Sequence, residues 1–249
     1  MRNILWRDIE RFGPNGQDFS SASASLDYER KYAACDSQTM KSFCRRESFI
    51  HTHGWSCPSQ KAIVRIQSFL SPKDMIVEVG AGWGLWARLL KDEGFTVKAT
   101  DALNQNTKHY IGIPEDKEIP YAQFFIDVEQ RDNLEAMALY GYYDCLLLIW
   151  PPYDTEMAYE TLKAFKGDKI IYIGEGYGGC TASDNFFTEL GRHFFEEDFT
   201  IPRWEGLHDY MFLYTRKNRR TKENKPLPRF PKLVEPTVMK FIDIPDKIG

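Results

Sequence analysis

Three short stretches carry residue types whose spacing suits ligand chemistry. Val77-Glu78-Val79-Gly80-Ala81-Gly82-Trp83-Gly84 follows an apolar run and opens a helical pattern. Its glycines let the backbone turn tightly and approach a ligand closely, and a helix start adds free N–H groups. A dinucleotide-binding G-x-G-x-x-G would need glycine at 85, where Leu85 stands. Trp150-Pro151-Pro152-Tyr153-Asp154 ends the apolar run Leu146–Ile149, and paired prolines fix φ and shape a rigid turn. Gly174-Glu175-Gly176-Tyr177-Gly178-Gly179-Cys180-Thr181 holds four glycines in eight residues. Such a stretch can form a backbone-lined wall, with Glu175 as a candidate base or partner for a cationic or N–H-bearing group. Read structurally, each stretch is a strand-to-helix turn, with Asp154 a helix cap and Asp127 another.

The elements that must position these residues alternate. A helix opened by Pro58 puts Ala62, Ile63, Ile66, Phe69 and Leu70 on one face and closes at Ser71-Pro72. Met75–Val79 reads as a buried strand, Leu85–Lys91 as a helix with Gly94 past its end, and Phe95–Thr100 as the next strand. Ala122–Ile126 reads as a third strand, followed by a helix to Tyr140, and Asp144–Trp150 as a fourth. Asp154 to Gly167 bounds a helix, Lys169–Ile173 is a strand, and Thr181-Ala-Ser-Asp184 has the form of a capping box for a helix to Arg192. Phe199–Pro202 and Tyr210–Thr215 close the series as a strand pair with no helix between them. The pattern predicts an α/β fold: a doubly wound, mostly parallel seven-stranded sheet with an antiparallel edge strand pair. Ligands in open sheets of this kind bind at the carboxyl ends of the strands. That places the chemistry at 80–84, 101, 127, 150–154 and 174–180.

Glu-x-Gly-x-Gly-x-Gly at 78–84 resembles the first motif of class I S-adenosylmethionine (SAM)-dependent methyltransferases. The resemblance implies a Rossmann-like methyltransferase fold and SAM as cofactor. It implies that Glu78, Gly80, Ala81, Gly82 and Gly84 hold SAM, with Asp101 on the ribose hydroxyls and Asp127 near the adenine amino group. A carboxylate accepting two hydroxyls makes charge-assisted bonds. Trp150–Tyr153 resembles the Asp/Asn-Pro-Pro-Tyr element of amino-directed methyltransferases, adenine-N6 and glutamine-N5 enzymes among them. That implies a prolyl carbonyl on the target N–H and Tyr153 stacked on a flat substrate. Trp150 departs from the element, because indole donates but cannot accept a hydrogen bond, so an adenine-N6 assignment does not follow. Trp150 and Tyr153 are then expected to sandwich the substrate. The order of these motifs, with Gly206-Leu207-His208-Asp209, is similar over residues 55–216 to an uncharacterised methyltransferase-like family. The implied catalytic set is Trp150, Pro151, Pro152, Tyr153 and Glu175; Asp154, Tyr177, His208 and Asp209 are the implied substrate contacts. The implied reaction is methyl transfer to a nitrogen of a planar acceptor of unassigned identity. Two other classes stay open: a SAM-binding sensor or scaffold without transfer, and an NAD-binding oxidoreductase, against which Leu85 counts.

Composition bounds these readings. Hydrophobic residues make up 43%, charged 27% and aromatic 14% of 249 residues, enough for a sizeable core and unlike a disordered, collagenous or coiled-coil chain. The longest apolar run, Cys145–Pro152, is strand-sized, so no membrane span is expected. The N-terminus lacks an uninterrupted apolar stretch of signal-peptide type. Five scattered cysteines point to reduced thiols and an intracellular, cytoplasmic setting. Cys44, His51, His53 and Cys57 have zinc-ligand types but the spacing of no common finger, so no metal is expected. The net charge of −4 is uneven: Arg216–Lys232 carries a local +7 and the rest of the chain −11. Such a segment either contacts nucleic acid or is a solvated tail. The expected division is an N-terminal extension over 1–55, helical in part of 27–49, a methyltransferase domain over 56–217, and a basic, Pro-rich tail over 218–249.

Overall fold

Seven strands assemble among the described residues: β1 (Met75–Val79), β2 (Thr96–Asp101), β3 (Val128–Gln130), β4 (Cys145–Ile149), β5 (Lys169–Gly174), β6 (Phe194–Thr200) and β7 (Tyr210–Arg216). The computed structural model describes residues 2–14, 38–110, 113, 116–119 and 123–217. The strand order is β3-β2-β1-β4-β5-β7-β6. The first five strands run parallel, and β7 runs antiparallel to both β5 and β6. This is the doubly wound sheet with an antiparallel edge pair that the alternation of elements predicts. The chain reverses direction across the sheet between β1 and β4, the switch point where such sheets bind ligands.

The central strands are buried on both faces, as parallel sheets require. Leu146, Leu147 and Leu148 are fully buried, each burial stabilising by about 1.5–3 kcal/mol. Eight helices cover the sheet among the described residues: α1 (Arg2–Phe12), α2 (Gln38–Thr52), α3 (Gln60–Phe69), α4 (Leu85–Asp92), α5 (Gln105–Tyr110), α6 (Asn133–Tyr140), α7 (Met157–Ala164) and α8 (Asp184–His193). One core layer joins Ile63 and Ile66 of α3, Trp86 and Leu90 of α4, and Leu147 and Ile171 of the sheet. Trp6 and Ile9 of α1 and Phe49 of α2 enter that same layer. The other layer joins Met137 of α6, Leu162 of α7, and Phe186 and Leu190 of α8 to Val79 and Tyr172.

Several boundaries differ from the sequence expectation, each for a physical reason. The third strand is Val128–Gln130, not Ala122–Ile126; Ala122 lies outside the described residues. The apolar run covers the glycine turn instead. Phe124 packs edge-on against Trp83, Phe125 N–H donates to Trp83 O, and Ile126 sits against Gly84. The following helix is started by Asp132, whose carboxylate accepts from Glu135 N–H while Glu135 answers with its own side chain, a complete capping box. Asp154 is not a cap: α7 starts at Met157 after Glu156. Ser183, not Thr181, precedes α8, because Thr181 turns its hydroxyl to Glu175 O. The helix opened by Pro58 begins at Gln60, where Ser59 Oγ accepts from Ala62 N–H. β6 begins at Phe194, five residues before the expected start, directly from the end of α8. The expected helix within 27–49 is described from 38 onward, and the tail beyond 217 lies outside the described residues. Arg216 and Lys217, at the head of the basic segment, are tied into the fold. Arg216 donates to the Phe165 and Gly167 carbonyls and Lys217 to that of Gly191. No described helix is long and apolar enough to cross a membrane.

Candidate functional site

A cavity of about 290 Å³ opens at the carboxyl ends of β1, β2, β3 and β4. Gly80 and Gly82 form one wall, Asp101, Asn104 and Thr107 a second, Arg131–Asn133 a third, and Trp55 with Trp150–Pro152 a fourth. A smaller cavity of about 50 Å³ shares Trp55, Gly80, Gly82 and Ile149 with the larger one and reaches His53, Ser56, Glu78 and Ala81.

The glycine turn is held by backbone bonds. Gly80 and Ala81 N–H both donate to Thr100 O at 2.9 and 3.0 Å, and Gly84 N–H donates to Ala81 O. Gly80, Gly82 and Gly84 all have left-handed φ, +74°, +51° and +73°. A Cβ at Gly84 would meet Ile126 Cγ2 at 2.6 Å, so that position requires glycine for packing as well as for φ. Gly84 lines neither cavity; its part is to shape the turn.

Asp101, 7% exposed, ends β2 and organises two loops. Its Oδ2 accepts from Gly82 N–H at 2.9 Å; its Oδ1 accepts from Leu103 N–H at 3.1 Å and from Thr107 Oγ at 2.7 Å. A carboxylate has about four lone-pair sites, so one remains for a ligand hydroxyl. Glu78 is 2% exposed, and its Oε2 accepts from Ala87 N–H in the first turn of α4. Burial pushes its carboxyl up to about 8, against the pull of the Ala87 N–H, with the Asp101 charge adding to the rise.

Asp127 is a correction. With β3 starting at Val128, it stands at the amino end of the strand, exposed, and lines neither cavity. The residues at the carboxyl end, Arg131, Asp132 and Asn133, line the cavity instead. Sequence reasoning missed them because the apolar run before Asp127 reads as a strand. The Asp132-x-x-Glu135 pattern was the signal that could have placed them.

The Trp-Pro-Pro-Tyr turn is built differently from the sandwich expected of it. Trp150 is half-buried with φ +48°, a conformation costing an L-residue roughly 1–2 kcal/mol. Its N–H donates to Ile173 O at 2.8 Å. Its ring stacks on Trp55, not on Tyr153, at 5.1 Å and 27°. The Arg46 guanidinium from α2 lies 5.0 Å from the Trp55 ring centre and 5.2 Å from that of Trp150. Burial lowers Arg46, while Glu47, Asp209, Cys180 and Glu175 favour its charge. Tyr153 is 57% exposed, and neither it nor Asp154 lines either cavity. Pro151 O already accepts from Ala182 N–H at 3.0 Å. Leu103, Trp150 and Ala182 are the non-glycine residues with left-handed φ among those described, and all three follow strands at this edge.

Glu175, 7% exposed, does not line the cavity. Its Oε2 accepts from Cys180 N–H and its Oε1 from His208 N–H, both at 2.8 Å. Burial pushes this carboxyl up, but the two backbone N–H groups, with the Cys180 thiol and the His208 ring, outweigh it and hold it below its ordinary value. Each oxygen takes a backbone N–H from a different loop, so the geometry makes Glu175 a clasp between the two loops. Cys180 is raised to about 12, by burial first and then by Glu175, so its thiol stays protonated. Tyr177 packs edge-on against Phe187, and His208 is exposed. Asp209 is 1% exposed and raised to about 7, by burial first and also by Glu175, against the pull of Trp150, Arg46 and Arg203. Trp150 Nε1 and Asp209 Oδ1 both lie buried with no hydrogen-bond partner.

Of the zinc-type residues, burial lowers His53 to about 4, and its ring stacks on Phe49; Cys57 is buried and raised to about 12. Among the described residues no three His, Cys, Asp or Glu side chains gather as a metal site.

No family model matches the chain, and no curated protein matches it. Solved structures do. The ribosomal protein L11 methylase of Lactobacillus delbrueckii subsp. bulgaricus is 15% identical, over 63% of this chain and 77% of that one, with a TM-score of 0.40. The magnesium protoporphyrin IX methyltransferase of Synechocystis PCC 6803, with S-adenosylhomocysteine (SAH) bound, is 12% identical over 86% and 100%, TM-score 0.44. The 1,6-didemethyltoxoflavin-N1-methyltransferase of Burkholderia thailandensis is 15% identical over 82% and 94%, TM-score 0.44.

Proposed function

We propose that this chain is a SAM-dependent methyltransferase. The observation that carries the reading is the Gly80–Gly84 turn with Asp101: left-handed glycines face a cavity whose acid anchors the turn and keeps one acceptor site free. A side chain at Gly80 would stand 3.1 Å from Met157 Cε, so the bare backbone keeps the wall open to a ligand. In this reading Gly80 and Gly82 flank SAM, Asp101 takes a ribose hydroxyl, and Asn104, Arg131 and Asn133 offer polar contacts around the nucleoside. Glu78 and Ala81 border the methionine end in the smaller cavity. SAM supplies a sulfonium methyl group open to in-line attack by an acceptor nitrogen or oxygen. The chain's own contribution is positioning and exclusion of water, with Trp55 and Trp150 offering ring faces to a planar acceptor.

A nitrogen acceptor rests on the second lone pair of Pro151 O, since the first is taken by Ala182. The same occupied carbonyl, with Trp150 in place of an accepting side chain, favours the second reading: SAM binding without transfer. Nucleic-acid contact through the basic segment remains a proposal for its part beyond Lys217, with affinity falling steeply as salt rises. Incubation of the full chain with labelled SAM and fractionated extract tests the main reading. Label entering a protein, nucleic-acid or small-molecule fraction is the expected result. SAM binding with no label in any fraction favours the second reading.

A further inference from the structure

Trp150 adopts a backbone conformation that a bulky residue holds only when its surroundings over-determine it. The backbone N–H bond to Ile173 fixes its main chain, and Trp55 and the Arg46 guanidinium pack against its ring, part of which lines the cavity. The polar edge of the indole is a separate matter. Nε1 is buried with no hydrogen-bond partner, and so is Asp209 Oδ1; the two residues meet at the end of β5, since Trp150 N–H bonds Ile173 O and the next residue, Gly174, pairs with Tyr210. Trp150 lines the larger cavity. Asp209 lines neither cavity, so its carboxylate reaches an acceptor only through another residue.

We infer that Asp209 is a positioning residue: its carboxylate holds the Trp150 indole through Nε1, so that the Trp55–Trp150 pair presents a fixed platform to a flat acceptor ring. The platform's role rests on the methyltransferase reading; the indole contact itself does not. Indole is a donor only, so an acceptor is the partner it needs, and an ionised acceptor holds it more strongly than a neutral one. The groups facing Asp209 come from four elements. Glu175, after β5, disfavours its charge, whereas Arg46 of α2, Arg203 between β6 and β7, and the Trp150 N–H favour it. Cys180 and Tyr172 are both raised by burial and stay neutral beside it. Since burial leaves Asp209 titrating at about 7, the hold tightens as pH rises through that value and loosens below it.

The test is the indole N–H spectrum of the full chain, labelled at its tryptophan side chains, from about pH 5.5 to 8.5, a range that brackets this titration. The signal absent from Trp150→Phe belongs to Trp150. It is expected to move with a midpoint near 7, to stay still in Asp209→Asn, and to shift its midpoint upward in Arg203→Gln, which removes a charge favouring ionisation. A wild-type signal that does not move, an Asp209→Asn signal with the same transition, or an Arg203→Gln midpoint unchanged overturns the inference. With any extract fraction that accepts methyl, Asp209→Asn should raise the acceptor concentration for half-maximal transfer roughly ten-fold or more and leave that for SAM unchanged. An unchanged acceptor requirement overturns the platform role. If no fraction accepts methyl, the methyltransferase reading fails, and the indole titration still decides whether Asp209 holds Trp150.

Discussion

The loop after β2 and the loop after β5 are each built around a nearly buried carboxylate that accepts two backbone N–H bonds, yet the two acids end up in different places. Asp101 draws its donors from cavity-lining Gly82 and from Leu103, which sits between cavity-lining Ala102 and Asn104, and so remains part of the wall. Glu175 draws its donors from Cys180 and His208, which close over it away from the cavity. A strand-end acid here becomes part of a cavity wall or a clasp according to where its backbone donors come from. Residue type and position along the strand do not decide it.

Asp101→Ala should show the largest effect on this contrast. It removes an acceptor from Gly82, Leu103 and Thr107 at once, and each hydrogen bond to a charged group contributes about 1.5–3 kcal/mol. Both unfolding stability and SAM affinity should fall by at least that scale. Loss of stability with full SAM affinity would place the ribose contact elsewhere.

Glu175→Gln should cost about 1–3 kcal/mol of stability, because an amide turns an N–H₂ toward one of two backbone donors. The carboxyl lies below its ordinary value in the folded state. Its contribution is therefore present above the ordinary carboxylate range and lost as pH falls through the lower folded value. Denaturant unfolding of wild type and variant across acid pH measures this; SAM affinity should stay unchanged. A large fall in transfer with no loss of stability would restore Glu175 as a base.

How far these sites were legible depends on how local they are. The alternation of strands and helices, the closing strand pair and the glycine turn follow from patterns within ten or so residues, and those the sequence carries. Trp55, Arg46 and Trp150 meet only through the docking of α2 on the sheet, which no local spacing encodes. The run 122–126 has the composition of a strand, and only the competing need to cover Trp83 and Gly84 keeps its described part, 123–126, out of the sheet. Asp127 leaves the strand end with it. A shared turn suggests Tyr153 as the partner of Trp150, while the structure pairs Trp150 with a residue 95 positions earlier.

Glu78 sharpens the comparison with a smaller effect. Burial raises its carboxyl to about 8 from an ordinary 4.5. The folded state then keeps a proton that the unfolded chain releases, so stability falls as pH rises from about 4.5 to about 8. Glu78→Gln should flatten that part of the unfolding profile; an unaltered slope would assign it to other groups. Tyr153→Ala should have the smallest effect, with both SAM affinity and stability near wild type, as for an exposed surface residue. A marked loss of transfer would return Tyr153 to the acceptor site.

The central claim is that the glycine turn and Asp101 hold SAM. Calorimetric titration of the full chain with SAH, with NAD in parallel, tests it most directly on wild type and Gly82→Val. Valine at 82 puts a branched side chain on a left-handed backbone at the wall of both cavities. The account predicts one SAH bound per wild-type chain, no NAD, and affinity for SAH at least about a hundred-fold weaker in the variant, a loss of roughly 2.7 kcal/mol. Saturating NAD binding without SAH, or SAH binding undiminished in Gly82→Val, would contradict it.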